Sequence, residues 1–331
     1  MNGIIAVDKP PDMTSAQVVT HVKRILKVKK VGHTGTLDPF ATGVLVCCIN
    51  KATRLARFLT YGKKRYEGVM RLGIRTDTQD LTGRVVSTEP DLGVTDRDVR
   101  KVFLSFLEVK HQTAPAYSAL KHHGVPLYRL ARHGTFVQKP PRRISIYGLE
   151  VLDISLPDVR FDVCCSAGTY VRTLCADIGD ALGCGAHLTE LCRTESGRFG
   201  LDEAVSLNTL DSLAASGKIS NHIIPMSVAL RGMPGISAGN QLLKKIQHGY
   251  PVTQEEVAAV SLRRICPWIK VTDTQGNLVA VISSSKKNGV YPYACVFPLS
   301  IENPKSLIIN HQSKRGGFES GFSSRGKKDV D

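Results

Sequence analysis

The sequence contains no C-x-x-C pair, although it has nine cysteines. Zinc knuckles and thioredoxin-like sites use that spacing, so neither kind of site is supported. Nine is an odd number, and most of these cysteines lie in apolar stretches, where cysteine behaves as a small hydrophobic residue. The cysteines therefore predict no metal site.

Long apolar runs are also missing. No stretch approaches the roughly 20 apolar residues that a membrane-spanning helix needs. The first residues, Met1–Ile5, lack the basic segment and long apolar run of a signal peptide. We therefore expect a cytoplasmic protein.

Acidic residues are scarce relative to basic ones. Lys and Arg together number 44 and Asp and Glu 29, which gives a formal net charge of +15. Such an excess favours a polyanionic partner, because Lys and Arg release counterions when they contact phosphates. Basic clusters at Lys23–Arg24, Lys63–Arg65 and Arg142–Arg143 lead us to favour RNA.

The chain of 331 residues suggests two domains of ordinary size. Alternating apolar residues predict strands near residues 4–7, 66–73 and 160–166, and the run Val44–Ile49 fits a buried strand or a buried helical turn. Capping boxes at Thr14 with Gln17 and at Thr95 with Asp98 predict helix starts. Strands and helices do not alternate regularly, so the expected fold class is α+β.

The second half of the chain suggests a domain boundary. Residues 231–240 have the composition of a linker between a large domain, residues 1–230, and a small β-rich domain, residues 241–310. In the small domain we expect a short helix, and strands near Val257–Leu262, Trp268–Thr272, Leu278–Ile282 and Tyr293–Phe297. The Ser-, Gly- and Lys/Arg-rich tail, residues 311–331, is expected to be disordered.

One loop carries an unusually placed carboxylate. Asp38 lies among three glycines and a proline, Gly32, Gly35, Gly43 and Pro39, which indicates a loop and no regular element. The glycines permit close backbone approach, and the proline fixes the backbone just after Asp38. The pattern fits a rigidly presented nucleophile, base or ligand, and it also fits an ordinary turn whose Asp bonds its own backbone.

These residues resemble the signature of the TruB family of tRNA pseudouridine synthases. Further blocks match that family in order over about residues 1–205. The matching blocks are Asp8–Pro10, Gly32–Gly43, Lys64–Tyr66, Arg75–Thr78, Tyr117–Lys121, Ala131–Gly134, Cys165–Leu174 and Gly183–Leu188. The resemblance implies a mixed β-sheet catalytic domain flanked by helices, covering residues 1–230, and an RNA-binding C-terminal domain.

The resemblance also implies a reaction. Members of the family isomerise a uridine in the tRNA T loop, at position 55, and flip the base out of its stack to reach it. The isomerisation moves the sugar from N1 to C5 of uracil with no hydride, phosphate or oxidant, so no cofactor or metal is expected. The expected partner is tRNA, bound by a monomer.

The matched positions assign roles to particular residues. The resemblance places the catalytic aspartate at Asp38, its paired arginine at Arg172 and the active-site tyrosine at Tyr66. Tyr170 and Leu191 align with residues that line the base pocket. We take Asp38, Tyr66 and Arg172 as the catalytic set, with Tyr66 also contacting the flipped base.

Other matched residues are expected to bind RNA. His33 aligns with the histidine that enters the T-loop stack where the target base leaves. Lys9, Lys64 and Arg65 are expected to contact phosphates.

Two positions depart from the family pattern. Cys192 replaces a common arginine, and Asp12 replaces a glycine in a turn, which suggests a turn of different shape. Neither touches the catalytic set.

Two rival functions stay open from the sequence. The first is a tRNA-binding folding chaperone in which catalysis is secondary, and the second is a guide-RNA-directed synthase of the same superfamily. The catalytic set favours an enzyme over a pure chaperone. Phe40–Thr42 and the basic helix after Thr14 look more like the stand-alone tRNA enzyme.

Overall fold

A computed structural model describes residues 1–257, 266–287 and 289–298. Its fold is α+β, as the sequence predicts. The α-helices are α1 (Ser15–Ile25), α2 (Ala56–Leu59), α3 (Asp96–Ser105), α4 (Leu127–Arg132), α5 (Val171–Ala181), α6 (Leu207–Ala215), α7 (Met226–Ala229), α8 (Asn240–Gln247) and α9 (Gln254–Val257). Short 3-10 helices cover Asn50–Leu55, Phe106–Glu108 and Ile219–His222.

Strands form one large sheet and several small ones. In chain order they are β1 (Gly3–Lys9), β2 (Val31–His33), β3 (Thr42–Ile49), β4 (Lys64–Leu72), β5 (Ile74–Thr76), β6 (Val85–Thr88), β7 (His111–Gln112), β8 (Lys121–His122), β9 (Val125–Pro126), β10 (Arg142–Arg143), β11 (Ile146–Ser155), β12 (Asp158–Cys165), β13 (Ala186–Ser196), β14 (Phe199–Gly200), β15 (Val205–Ser206), β16 (Gly235–Ser237), β17 (Trp268–Thr272), β18 (Leu278–Ser283) and β19 (Tyr293–Val296).

The large sheet has the order β11-β12-β4-β13-β3-β1-β15, with β14 paired to β13 and β2 to β3. The pairs β13–β3 and β1–β15 are parallel, and the other pairs along that order are antiparallel. The sheet is therefore mixed, and β3, β4 and β13 lie at its centre.

The apolar patterns explain the central strands. Along β4 every second residue from Lys64 to Leu72 is buried, as the period of two predicts. The run Val44–Ile49 forms a strand, and all its residues are buried. A continuous apolar run suits a strand covered on both faces, which resolves the alternative left open by the sequence.

Both predicted capping boxes are present. Thr14 caps α1 with Gln17, and Thr95 caps α3 with Asp98. Helix α5 follows Gly168, as predicted, and begins after Tyr170. The first turn of α5 is therefore the element that carries Arg172.

Apolar side chains from β4, β11, β12 and β13 and from α3 and α5 form one continuous cluster. Leu37, Tyr66 and Leu191 belong to it together with Val171 and Leu174. The loop before β3, the middle of β4 and the middle of β13 are thus joined by direct packing to α5.

The segment 231–240, expected to be a linker, contains a short strand. Gly235–Ser237 is strand β16, which pairs in parallel with β17 and begins the sheet β16-β17-β18-β19. Linker composition therefore concealed an edge strand. The division into two domains stays a prediction.

The predicted strands at Trp268–Thr272, Leu278–Ile282 and Tyr293–Phe297 are present with ends shifted by one residue at most. The strand expected near Val257–Leu262 is not supported at its start, because Val257 ends helix α9. Residues 258–262 and the tail 311–331 lie outside the described residues.

Two smaller observations complete the fold. Asp12 has φ +61°, in the left-handed region that glycine favours, so its turn keeps a glycine-like backbone despite the departure. Within the described part of the chain, no helix has the length and apolar character to span a membrane.

Candidate active site

The loop that carries Asp38 is fixed through its main chain. Ser15 Oγ accepts a hydrogen bond from Leu37 N at 2.9 Å and donates one to Leu37 O at 3.1 Å. Ala41 N donates to Asp38 O at 3.2 Å. Leu37 is buried on one side of Asp38, whereas the Asp38 side chain is 32% exposed. The loop therefore presents the carboxylate from a buried backbone.

Gly43 holds the far end of this loop against β13. Its φ is +94°, and a Cβ there would lie 2.3 Å from the main-chain oxygen of Arg193. A backbone oxygen cannot move away as a flexible side chain can. Glycine is therefore required at residue 43 by both conformation and space.

Arg172 bridges two carboxylates. Its Nη2 lies 3.6 Å from Asp38 Oδ1, and its Nη1 lies 3.1 Å from Asp80 Oδ2. Nη2 also donates to Tyr117 O at 2.5 Å. The Arg172 and Asp80 side chains are 6% and 3% exposed. The structure thus contains the Asp38–Arg172 ion pair that the resemblance implies, and it adds Asp80 as the closer partner.

Sequence reasoning missed Asp80. Its Oδ1 accepts hydrogen bonds from Thr78 Oγ1 at 2.7 Å, Thr82 N at 3.0 Å and Thr82 Oγ1 at 2.6 Å. One carboxylate oxygen is thus held by two threonines and the other faces Arg172. The one signal in the sequence is that Asp80 lies two residues after the matched block Arg75–Thr78, between Thr78 and Thr82.

The surroundings of Asp38 make it more basic than a solvated aspartate. Burial raises the pKa of the carboxyl most, and the nearby Asp80 also raises it. Arg172 and, more weakly, Lys9 lower that pKa, but the net direction is upward. A carboxylate that binds a proton more tightly is the stronger base when ionised.

Tyr66, Tyr170 and Leu191 come from three different elements. Tyr66 lies in β4 and is 6% exposed, Leu191 lies in β13 and is buried, and Tyr170 is half-buried just before α5. Burial raises the pKa of the Tyr66 phenol, while the guanidinium of Arg193 beside it lowers that pKa in part. Tyr66 is therefore a neutral phenol at neutral pH.

His33 ends β2, six residues before the loop residue Pro39. Burial lowers the pKa of its imidazole, and the positive charge of Arg193 lowers it further. Its Nδ1 is buried without a hydrogen-bond partner among the described residues. His33 is thus an uncharged ring at neutral pH, as suits a group that stacks between bases.

The burial of Lys9 contradicts the expectation that this residue contacts a phosphate. The residue is fully buried, at 0% exposure. Its Nζ donates to three main-chain oxygens, those of Pro10, Met13 and Pro39, at 2.8, 2.7 and 2.8 Å. Burial lowers its pKa to about 8. The ammonium ties strand β1 to the Asp38 loop, so Lys9 is a support for that loop.

Lys64 and Arg65 are also engaged within the protein. Lys64 is buried, its Nζ donates to Thr60 O at 2.9 Å, and burial lowers its pKa to about 8. Arg65 is exposed but binds both carboxylate oxygens of Asp162 through Nε, at 3.0 and 2.9 Å. The assignment of Lys64 to a phosphate is therefore wrong in this conformation, and Arg65 already has an acidic partner.

Arg193 is a second residue that sequence reasoning missed. It is 1% exposed, and its guanidinium donates to Val44 O at 2.7 Å and to Gly35 O at 3.0 Å. Nη1 lies 3.5 Å from Thr36 O. Nothing in the local sequence pattern marks Arg193 as buried.

The described residues contain no group of three His, Cys, Asp or Glu side chains arranged to hold a metal ion. The chemistry that the site offers is that of one half-exposed carboxylate beside a shared cation, a buried phenol and an apolar wall.

Family models match most of the same region. The model of the TruB family pseudouridylate synthase N-terminal domain matches residues 23–171. The model of the tRNA pseudouridylate synthase B C-terminal domain matches residues 172–231. The sheet that β16–β19 form lies beyond both models.

Curated relatives match over most of their length. The tRNA pseudouridine synthase B of Syntrophotalea carbinolica is 45% identical over 258 residues, which cover 78% of this chain and 84% of the relative. The tRNA pseudouridine synthase B of Syntrophus aciditrophicus is 40% identical over 284 residues, covering 85% and 90%.

Solved structures share the fold. A chain of an H/ACA RNP bound to a substrate RNA containing 2′-deoxyuridine superposes with a TM-score of 0.67 at 27% identity, over 90% of this chain and 85% of that chain. A chain of a Cbf5–Nop10–Gar1 complex gives 0.68 at 28% identity, over 89% and 84%.

Proposed function

Because the chain belongs to the TruB family of pseudouridylate synthases, we propose that it isomerises uridine to pseudouridine in the T loop of tRNA, at position 55. The observation that carries the proposal is the geometry of Asp38. A partly exposed carboxylate with a raised pKa projects from a fixed loop and lies 3.6 Å from the buried Arg172. The family name of the curated relatives supports tRNA as the substrate.

The reaction balances without an external reagent. The bond from C1′ to N1 of uracil breaks, a bond from C1′ to C5 forms, and the proton on C5 is removed while N1 becomes protonated. Asp38 supplies the reactive carboxylate, either by adding to the substrate or by taking a proton. Arg172 orients that carboxylate and favours its ionised form.

Tyr66 is proposed to pack against the extracted uracil and to receive the C5 proton. A neutral buried phenol is a weak base, so it would act with a coupled proton acceptor. Tyr170 and Leu191 supply a ring face and an apolar wall to the base. His33, an uncharged ring, would take the place of the extracted base in the T-loop stack and recover part of the unstacking cost of a few kcal/mol.

We propose a stand-alone enzyme that acts as a monomer on tRNA in the cytoplasm. The two solved chains named above are similar at 27% and 28% identity, whereas the relatives named tRNA pseudouridine synthase B reach 40–45%. The higher identity favours the tRNA enzyme over a guide-RNA-directed one. The net charge of +15 fits direct binding of tRNA phosphates.

The test is incubation of the purified protein, without added RNA guide or protein, with an unmodified tRNA transcript. Pseudouridine is then mapped along the product. We expect one modified position in the T loop, at residue 55, and none in a matched transcript that carries cytidine there. The Asp38→Asn protein is the matched enzyme control and should form no product.

Two outcomes would overturn the proposal. A folded protein that binds the transcript and speeds its folding but forms no pseudouridine would be a chaperone. Product that appears only after a guide RNA is added would assign the protein to the guide-directed branch.

A further inference from the structure

Two short strands pair at the two ends of a long segment, residues 113–141, between α3 and β11. Strand β7 (His111–Gln112) pairs antiparallel with β10 (Arg142–Arg143), and Gln112 lies opposite Arg142. The intervening residues 113–141 include α4 and the hairpin β8–β9. Both ends of this long segment therefore meet at one point of the molecule.

Gln112 binds the main chain of Tyr170 at both of its polar groups. The side-chain Oε1 accepts from Tyr170 N at 2.8 Å, and Nε2 donates to Tyr170 O at 3.0 Å. Gln112 is 4% exposed, so this amide pairs with Tyr170 away from solvent. A buried amide with both groups bonded fixes its partner in one orientation, because losing either bond leaves a buried polar group unsatisfied.

Arg142 binds the same residue through its ring. The guanidinium carbon lies 4.5 Å from the centre of the Tyr170 ring, and Nη2 donates to the main-chain oxygen of Gly168. Arg172, the partner of Asp38, lies 5.8 Å from the same ring. The Tyr170 ring is therefore placed by two guanidinium groups, one from β10 and one from the catalytic set.

We propose that Gln112 and Arg142 are positioning residues that set Tyr170 in the base pocket and thereby couple residues 113–141 to that pocket. The proposal rests on the proposed function, since it gives the base pocket to a uracil. From the sequence, Arg142 belongs only to a basic cluster that favours RNA, and Gln112 has no assigned role. Contacts that RNA makes with residues 113–141 would reach Tyr170 directly through these two side chains. Arg172 provides a second connection, since it donates to Tyr117 O and lies beside the same ring.

The alternative role for Arg142 is a phosphate contact, and the next residue offers a matched control. Arg143 lies on the same strand, has the same charge and is exposed. A phosphate contact depends mainly on charge, so the changes Arg142→Ala and Arg143→Ala would then weaken binding alike. A positioning residue lowers the rate of the bound complex instead.

The experiment measures the single-turnover rate at saturating T-stem-loop transcript, and separately the Kd, for both alanine variants. We expect Arg142→Ala to lower the rate by about tenfold or more, since small misplacements in a site cost rates of this order. Its Kd should stay within about threefold of that of Arg143→Ala, because both lose one charge. Arg142→Lys should not restore the rate, as an ammonium lacks the planar fork. The proposal would be overturned if Arg142→Ala and Arg143→Ala raised the Kd equally and Arg142→Ala left the single-turnover rate unchanged. It would also be overturned if Arg142→Lys had the wild-type rate.

A second comparison separates positioning from general stability. In a Tyr170→Leu background, Arg142→Ala should lower the rate no further, because its target ring is gone. If the rate losses of Tyr170→Leu and Arg142→Ala multiply in the double variant, Arg142 acts on the reaction without Tyr170. Gln112→Met, with His111→Ala as its neighbour control, should show the same loss of rate with little change in Kd. Should Arg142→Ala fail to fold, Arg142→Lys is measured in its place, with the same loss expected.

The experiments distinguish an error in the proposed function from an error in the proposed role of Gln112 and Arg142. If the wild-type protein forms no pseudouridine, the proposed function is wrong. If the wild type is active and Arg142→Ala behaves as Arg143→Ala does, only the coupling through Tyr170 is wrong.

Discussion

Two buried arginines lie near the Asp38 loop and differ in what they bind. Arg172, in the first turn of α5, faces the carboxylates of Asp38 and Asp80. Arg193, in β13, forms no ion pair among the described residues and donates to the main-chain oxygens of Gly35 and Val44. A cation paired with carboxylates controls their charge, whereas a cation bound to carbonyl groups holds a chain in shape.

Lys9 belongs with Arg193 in this comparison. Its ammonium donates to three main-chain oxygens, one of them that of Pro39, next to Asp38. The loop is therefore shaped from two strands, β1 and β13, while its charge is set mainly from α5. The same residue types, buried within one site, do two separable jobs.

The largest effect is expected at Asp38 itself. Asp38→Asn keeps the shape of the side chain but removes both the nucleophile and the base, so isomerisation should fall below detection. Binding of the transcript should stay within a few-fold of wild type. Product formation and Kd are measured on the same preparation, and turnover near the wild-type value would remove Asp38 from the chemistry.

Arg172→Met should give the next largest effect, now on stability. Deleting one partner of a buried ion pair costs roughly 3–5 kcal/mol, and here two carboxylates lose their cation. Urea unfolding gives the free energy. Adding Asp80→Asn should restore part of the lost free energy of unfolding, because it removes the more buried of the two carboxylates that have lost their cation. If the double variant is no more stable than the single one, the Arg172–Asp80 pair contributes little.

Arg193→Met should cost less. The carbonyl groups lose a donor, at about 1–3 kcal/mol for a buried group left unpaired, but no carboxylate is stranded and the cost of burying the cation disappears. Adding Asp38→Asn should raise the stability of Arg193→Met no more than it raises that of the wild type, because the cation paired with Asp38 is Arg172. A gain in stability from Asp38→Asn that is as large in Arg193→Met as in Arg172→Met would erase the distinction between the two arginines.

The smallest effect concerns the stability of Asp38→Asn. Because burial raises the pKa of Asp38 in the folded protein above its ordinary value of 3.8, the unfolded chain releases the proton first. Once the pH exceeds the pKa of Asp38 in the unfolded chain, ionised Asp38 therefore destabilises the folded protein. Arg172 keeps Asp80 as a partner, so Asp38→Asn should melt at a higher temperature than wild type at pH 7. The difference in melting temperature between Asp38→Asn and wild type should shrink as the pH falls towards 4. A difference at pH 4 that equals or exceeds the one at pH 7 would contradict the claim that ionised Asp38 destabilises the fold.

The fold was predictable where one local pattern decides it. The alternation along Lys64–Leu72 and the capping boxes at Thr14 and Thr95 specify elements from a few neighbouring residues, and all are present. Strand β16 was missed because its pairing with β17 depends on residues more than thirty positions away. Composition alone describes it as a linker.

The site was predictable to the extent that motifs carried it. The Asp38–Arg172 pair follows from two matched blocks, but the burial of Lys9 and Arg193 depends on three strands that pack around one loop. A lysine within a motif that matches an RNA enzyme suggests a phosphate contact, and only the packing assigns Lys9 to carbonyl groups. Asp80 was missed for the same reason, since its partner Arg172 is distant in sequence.

The most direct test of the account is the pH dependence of the single-turnover rate between pH 5 and 7.5 for the matched variants Arg172→Met and Arg193→Met. This window lies below the pKa of about 8 of the buried Lys9 and Lys64. Removing Arg172 takes away the main group that lowers the pKa of Asp38, so the rate of that variant should still climb with pH after the wild-type rate has levelled off. Arg193 also lowers the pKa of the His33 imidazole from its ordinary value of 6.5, so Arg193→Met is compared with wild type above pH 6.5, where its rate should be lower by the same factor at every pH. Parallel profiles for the two variants, or a shifted midpoint in Arg193→Met alone, would contradict the division between a cation that sets charge and a cation that sets shape.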